Sequence, residues 1–313
     1  MHPLRIVFFG TPDFAVPGLR VLIDSPHRVV ALVSQPDRPK GRGQKLQPTP
    51  TKAVAAAAGI PVLQPTRVKD DSFAGIVRSF SPDLGVVAAY GRIIPDAILA
   101  VPRLGMINIH ASLLPAYRGA APVHRAVING DRETGVTIMR VVTELDAGPM
   151  LAAVRVPIGP DERTPEVERT LAHAGADLVV QVVAQLSEGT AVEAPQDHAA
   201  ATYANKIERH EGTIDWSLPA ERIHNLVRGL QPWPLVSVSL DGQRLLLHRT
   251  ALTDERTSAG AGTIVAAANG VLAIATADGR ILRILELQPE GKRAMSARDF
   301  LAGRRVEAGS RLT

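Results

Sequence analysis

The sequence predicts an α/β fold: a Rossmann-like, mostly parallel sheet followed by a small β-barrel. Three observations carry that prediction. Apolar runs ending at Gly or a polar turn recur through the first half of the 313-residue chain with helical stretches between them, the pattern of buried parallel strands joined by helices. From Gly189 to Asn205 an Ala-, Pro- and Thr-rich stretch without periodicity interrupts this texture. Beyond it, short β-like runs alternate with two-residue turn signals at Asp241-Gly242, Asn269-Gly270 and Asp278-Gly279, as strands in tight hairpins require. The expected domains are residues 1–189 and 206–313, with 190–205 as the linker.

Leu4–Phe9 is an apolar run ending at Gly10, which suits a central strand. The segment after it, Gly10 to Gly18, lacks the GxGxxG spacing that lets a dinucleotide pyrophosphate approach a helix start, so no NAD is expected. Asp13 is placed to cap the helix running toward Leu22. Val29–Ser34 is the second strand. It leads into Pro36–Lys52, where prolines and glycines argue against regular structure and five basic residues face one acid. Such a cationic loop is either a solvated surface or a grip for phosphates. Ala53–Gly59 reads as helix and Asp83–Ala89 as the third strand, followed by Tyr90-Gly91-Arg92.

The fourth strand opens the stretch Met106–Pro122, MINIHASLLPAYRGAAP. Positions i and i+2 of a strand share a face, so Asn108 and His110 project side by side at its carboxyl end, where open α/β sheets bind ligands. Pro122–Asn129 is a short helix with Pro in its first turn and Gly130 beyond its end. Gly135–Val142 and Leu151–Val156 are two more strands, and Asp146 sits in the turn between them, where an Asp also serves simply to stabilise the turn. Glu166–Glu188 is an amphipathic helix. After the linker come a helix over Pro219–Leu230, the hairpins, and a last helix over Ser296–Ala302 with Ser296 as N-cap and Asp299 at N3.

The chain has no Cys, which excludes a disulfide scaffold, a thiolate nucleophile and Cys-based zinc sites. No metal is expected. No run of about 20 apolar residues suggests a membrane span, and the protein is expected to be cytoplasmic. Net charge is only +4, but Lys292–Thr313 carries six basic residues against two acids, a second basic concentration beside Pro36–Lys52.

An amide, an imidazole and a carboxylate form a set suited to acyl transfer to an amine. The reaction passes through a tetrahedral oxyanion, and a donor preorganised at that oxygen contributes roughly 3 to 4 kcal/mol. Asn108 would donate to the oxyanion. His110 would donate there too or protonate the departing nitrogen. Asp146 would orient His110 or draw off the proton of the attacking amine. A serine hydrolase with Ser112 as nucleophile is the competing template, although Ser112 stands on no GxSxG elbow. Zinc hydrolysis lacks an HxH or HxxxH pair.

Four stretches, FFGTPDFAVP (8–17), PDRPKGRGQKLQP (36–48), INIHASLLPAYRGAAP (107–122) and YANKIERHEGTIDWS (203–217), together with LDAG (145–148), resemble the methionyl-tRNA formyltransferase family. The resemblance implies a formyltransferase-type Rossmann-like domain followed by an OB-like barrel. It implies Asn108, His110 and Asp146 as the catalytic trio. Folate would be bound by Ser112, Leu113, Leu114 and Pro115 together with Arg92 and Ile93, the pterin lying near Tyr90–Ile94. Lys40, Arg42 and Lys45 would contact the tRNA acceptor stem, and the basic C-terminal tail would add a second phosphate contact. The implied reaction moves the formyl group of 10-formyltetrahydrofolate to the amine of initiator methionyl-tRNA, with a monomeric enzyme. The alternatives are a 10-formyltetrahydrofolate hydrolase, a formyltransferase for glycinamide ribonucleotide or an amino sugar nucleotide, and a tRNA-binding protein with a vestigial site.

Overall fold

The computed structural model describes residues 2–40, 45–68 and 71–313. The chain forms two compact units. The first comprises Met1–Pro122, Thr134–Pro157 and Glu168–Ala204, and the second Val123–Glu133, Ile158–Val167 and Asn205–Thr313.

In chain order the elements begin with β1 (Arg5–Gly10), α1 (Ala15–Ile23), β2 (Arg28–Val33), β3 (Arg38–Lys40), β4 (Lys45–Gln47), α2 (Pro50–Ala57) and β5 (Val62–Leu63). They continue with α3 (Asp71–Ser79), β6 (Leu84–Ala88), α4 (Asp96–Leu99), β7 (Met106–His110), β8 (Arg118–Gly119) and α5 (Pro122–Asn129). Next come β9 (Glu133–Arg140), β10 (Met150–Pro157), α6 (Thr164–Glu188), β11 (Tyr203–Ala204) and α7 (Ala220–Gly229). The chain closes with β12 (Val236–Leu240), β13 (Gln243–Arg256), β14 (Ile264–Ala268), β15 (Val271–Ala275), β16 (Arg280–Pro289), β17 (Met295–Ser296) and α8 (Ala297–Gly303).

The first unit is built on a seven-stranded sheet in the order β10-β9-β7-β6-β1-β2-β5. β7, β6, β1, β2 and β5 run parallel, and β9 is antiparallel to β7. The central strands are apolar on both faces because both are covered: Ile6, Val7, Phe8 and Phe9 of β1 are wholly buried. On one face Val7, Phe9 and Val87 pack with Phe73, Val77, Ile98 and Met106. β1 leads to β2 on one side while β6 returns on the other, so the loops after β1 and β6 part at the carboxyl edge of the sheet.

Three local expectations change. Asp13 does not cap α1 with its side chain; the first turn is closed instead by backbone bonds from Ala15 to Pro12 and from Val16 to Asp13. The basic loop contains regular structure, since β3 and β4 form an antiparallel hairpin pairing Arg38 with Gln47 and Lys40 with Lys45. Pro39 is tolerated there because a two-stranded ribbon leaves an outer edge that needs no donor. The stretch expected as a linker is anchored to the first unit up to Ala204: Ala194 bridges to Met150, and β11 pairs in parallel with β8.

The second unit carries an antiparallel sheet in the order β12-β13-β16-β15-β14, with β17 on β16. Two of its hairpins turn through Asp241-Gly242 and Asn269-Gly270 with positive φ at both residues, as type I′ turns demand. The C-terminal segment closes the sheet. Thr313 exchanges two backbone bonds with Ser239 of β12, while Gly309 and Ser310 bond Ile264 of β14. Leu245, Leu247, Leu272, Ile274, Leu282 and Leu287 fill the interior. Ser296 caps α8 as expected, accepting from the Asp299 N–H at 3.1 Å. Among the described residues no helix is long and apolar enough to cross a membrane.

Candidate active site

β7 is pinned on both sides, with Asn108 opposite Val87 of β6 and Met139 of β9, and His110 opposite Thr137. Alternation then aims Asn108 and His110 to one face. His110 is buried at 5% exposure, whereas Asn108 is half-buried and its side chain forms no hydrogen bond among the described residues. The His110 Nε2 lies 3.0 Å from the Tyr117 carbonyl oxygen. A carbonyl only accepts, so Nε2 carries the proton and Nδ1 faces the other way. That nitrogen is 3.6 Å from Oδ2 of Asp146, beyond a hydrogen bond.

Asp146 sits in the turn between β9 and β10 with φ +49°. Its Oδ2 accepts the Gly119 N–H at 2.9 Å, and Oδ1 has no partner among the described residues. Gly148 makes the turn possible, because a Cβ there would lie 1.9 Å from the Arg140 carbonyl oxygen. Two further side chains meet behind the turn, neither of them expected from sequence: Arg118, 1% exposed, and Gln196, 5% exposed. Arg118 at least stands inside the HASLLPAYRGAAP string; nothing local marks Gln196, which belongs to the stretch expected as a linker.

The loop after β7 is held by its own polar groups. Thr137 Oγ1 accepts from the Leu114 N–H at 3.1 Å and donates to the Ser112 carbonyl at 2.8 Å. The Ser112 residue is fully buried and its hydroxyl donates to the Ala116 carbonyl at 2.6 Å rather than to His110. A serine nucleophile is therefore not arranged here. Leu114 is buried, while Leu113 and Pro115 are half-buried.

The loop after β6 lies at the same sheet edge, since β6 and β7 are parallel neighbours. Its Tyr90 carbonyl accepts from Gln35 Nε2 at 2.8 Å, which ties it to the loop after β2. Tyr90 is buried edge-on against Phe9, and its hydroxyl finds no hydrogen-bond partner among the described residues; burial pushes that phenol above its ordinary range. Arg92 turns back to donate to the Pro65 and Thr66 carbonyls at 3.1 and 2.9 Å, and Ile93 is left 76% exposed. An exposed apolar side chain at this sheet edge offers a surface for a flat ring.

Of the basic residues, Lys40 and Lys45 are backbone register partners in the β3–β4 ribbon, and Arg42 lies outside the described residues. The ribbon's base is fastened. Arg38 donates to Gln35, and Lys52 meets Asp37 at 2.6 Å, where Lys52 and then Gln64 hold the Asp37 carboxyl below its usual range. In the C-terminal tail Arg304 pairs with Asp241 at 3.0 Å and Arg305 with Glu307 at 3.4 Å, so part of that basic charge is already matched.

Comparison with known proteins bears on this arrangement. The formyl transferase family matches residues 4–183, and the formyl transferase C-terminal domain matches residues 206–305. The methionyl-tRNA formyltransferase of Geobacter metallireducens is 46% identical over 312 residues, covering 100% of this chain and 99% of its own. Among solved structures, WlaRD, a sugar 3N-formyl transferase determined in the presence of dTDP and 5-N-formyl-THF, superposes with a TM-score of 0.69 at 16% identity, covering 94% of this chain and all of its own. HypX from Aquifex aeolicus in complex with tetrahydrofolic acid gives a TM-score of 0.65 at 18% identity over 96% of this chain and 47% of its own. At those identities the likeness is one of fold.

Proposed function

Because the chain belongs to the methionyl-tRNA formyltransferase family and formylates initiator methionyl-tRNA, we propose that Asn108, His110 and Asp146 carry out the transfer, with 10-formyltetrahydrofolate as the particular folate that donates the formyl group. The single observation that supports this reading most is that Asp146, distant in sequence, comes to His110 beside Asn108. His110 Nδ1 lies 3.6 Å from the Asp146 carboxylate, and the unpartnered Asn108 amide shares its face of the strand.

The amine of the methionyl ester attacks the formyl carbon, and the carbonyl oxygen gains negative charge. The Asn108 N–H groups, without a partner among the described residues, donate to that oxygen without any proton changing hands. The attacking nitrogen must shed a proton, and the free Oδ1 of Asp146 is the acceptor on hand, directly or through one water. His110 keeps its Nε2–H on the Tyr117 carbonyl, takes up at Nδ1, 3.6 Å from the carboxylate, the proton that Asp146 drew from the amine, and hands it to the departing folate nitrogen as the C–N bond breaks. An α-amino group has a reference pKa of about 8, so enough is neutral near pH 7 to attack without a covalent enzyme intermediate.

Folate is assigned to Arg92, Ile93 and Ser112 through Pro115, with Ser112 acting by holding the loop rather than by touching the ligand. The tRNA acceptor stem is assigned to Lys40, Arg42 and Lys45, residues 1–189 being the catalytic domain and 206–313 the barrel that adds tRNA contacts. The same reading places the enzyme in the cytoplasm, as a monomer.

The test is direct. With folate donor and charged initiator tRNA, His110→Ala lowers kcat while the KM for tRNA stays within about threefold. Equal losses in kcat and tRNA affinity would make His110 a structural residue. Arg42→Ala raises the KM for tRNA and flattens its salt dependence. Hydrolysis of the donor without formylmethionine would overturn the assignment.

A further inference from the structure

Gln196 makes four conventional hydrogen bonds with one amide. Its Oε1 accepts from Arg118 Nε at 3.1 Å and Nη2 at 2.7 Å. Its Nε2 donates to the Asp146 carbonyl at 2.9 Å and the Gly148 carbonyl at 2.7 Å. The orientation of the amide is set by its neighbours: guanidinium only donates and carbonyls only accept, so oxygen must face Arg118 and nitrogen the turn. Arg118 itself is 1% exposed, with Nη1 3.6 Å from Glu144.

We propose that Arg118 and Gln196 are positioning residues that set the Asp146 carboxylate against His110, a role that rests on Asp146 being catalytic. A buried guanidinium costs several kcal/mol unless its donors are met. Here the Gln196 amide accepts from Nε and Nη2, and the exposed Glu144 lies 3.6 Å from Nη1 as a charge partner, an expensive arrangement for packing alone. What it accomplishes is visible at the turn. Asp146 occupies a positive φ, which costs roughly 1 to 3 kcal/mol for a residue with a side chain and persists only when the surroundings enforce it. Gln196 holds that residue by its carbonyl, and the residue after Arg118 holds it by its carboxylate, since the Gly119 N–H donates to Oδ2. Residues 118 and 119 are in turn fixed by β11, with the Arg118 N–H bonded to the Thr202 carbonyl at 2.8 Å and Gly119 in register with Ala204. Only a primary amide of this length can accept from a cation while donating twice to carbonyls. Glu would offer the two carbonyls no donor, and Met would offer nothing to either side.

The experiment is a double-mutant cycle on the full-length enzyme, read as formylation of initiator methionyl-tRNA. Gln196→Met lowers kcat roughly 10- to 100-fold, with KM for donor and tRNA within about threefold and the protein folded by circular dichroism. In the Asp146→Asn background the same substitution costs less than about threefold, because the group it positions is already disabled. Should Gln196→Met not fold, Gln196→Glu carries the same expectation, since it keeps an acceptor for Arg118 and loses both donors. An equal fold-loss in the two backgrounds would overturn the proposal, as would wild-type kcat in folded Gln196→Met while Asp146→Asn is slow. Wild-type kcat in Asp146→Asn alone would bring down the catalytic role of Asp146, and the purpose of the positioning pair with it.

Discussion

Gly148→Ala tests how closely the Asp146 turn is held. The added Cβ would lie 1.9 Å from the Arg140 carbonyl oxygen and 2.8 Å from its carbon, both backbone atoms of β9 that cannot swing aside as a side chain would. A carbon and an oxygen sit about 3.3 Å apart in a close contact, so the turn must retreat by roughly 1.4 Å. Gly148 is two residues from Asp146 and its carbonyl is one of the two that Gln196 holds, so the retreat carries the carboxylate away from His110. A misplacement of about 1 Å costs on the order of 100-fold in rate, equivalent to about 2.7 kcal/mol of transition-state stabilisation. Steady-state formylation is expected to show kcat down roughly 100-fold with KM for the folate donor nearly unchanged. Thermal melting should fall as well, since the backbone bond from Arg140 N–H to the Pro149 carbonyl at 2.9 Å is strained by the same shift. A folded Gly148→Ala enzyme with wild-type kcat would show that the carboxylate tolerates displacement, and the positional account of catalysis would fail.

Three shorter predictions bear on the neighbouring groups. Asn108→Ala should lower kcat by roughly 100- to 1000-fold, the usual cost of one oxyanion donor, with KM unchanged; a raised KM at constant kcat would move Asn108 from transition-state stabilisation to ground-state binding. Ser112→Ala removes a buried donor to the Ala116 carbonyl and should cost about 1 kcal/mol of stability while kcat stays within about threefold. Abolished activity in that folded variant would restore a serine nucleophile. In the second unit Glu166 receives the Arg163 guanidinium at 2.8 Å and its backbone N–H at 2.9 Å, and these bonds lower its pKa from 4.5 to about 2. A carboxyl depressed on folding stabilises fully above its unfolded value and loses that contribution as pH falls through the folded one. Melting of Glu166→Gln should therefore depend less on pH between about 4.5 and 2 than wild type does, and parallel curves over that window would contradict the assignment.

How much of this was legible in the sequence depended on how local the cause was. β1, β2 and β6 announce themselves because a strand buried on both faces must be apolar throughout. The Asn108 and His110 pair was legible for a similar reason: once β7 is a strand, spacing alone puts them on one face. β5, β8 and β11 were invisible, since two-residue strands have no periodicity and exist only because a distant partner pairs with them. The β3–β4 ribbon was missed because Pro39 and the surrounding glycines read as breakers, a rule that holds for central strands and not for a free edge. Gln196 was missed most completely. Its meaning lies wholly in Arg118 and the Asp146 turn, 78 and 50 residues away, and no local pattern encodes that.

The three proposed catalytic groups are thus held by two different physical means. Asn108 and His110 ride on a central strand with a hydrogen-bonded neighbour on each side, so their positions follow from the ladder and from burial, which change little with any one substitution nearby. Asp146 rides on a strained turn between β9 and β10, where no ladder runs. Its position depends on individual polar bonds from Gly119 and Gln196. Losing one such bond does not unfold the sheet, but it releases a carboxylate whose use depends on where it points. Substitutions around the turn should accordingly separate activity from stability, whereas substitutions in the β7 ladder should lose both together. If changes at Arg118, Gln196 and Gly148 instead lowered melting temperature and kcat in fixed proportion, the turn would be no more than another part of the folded core.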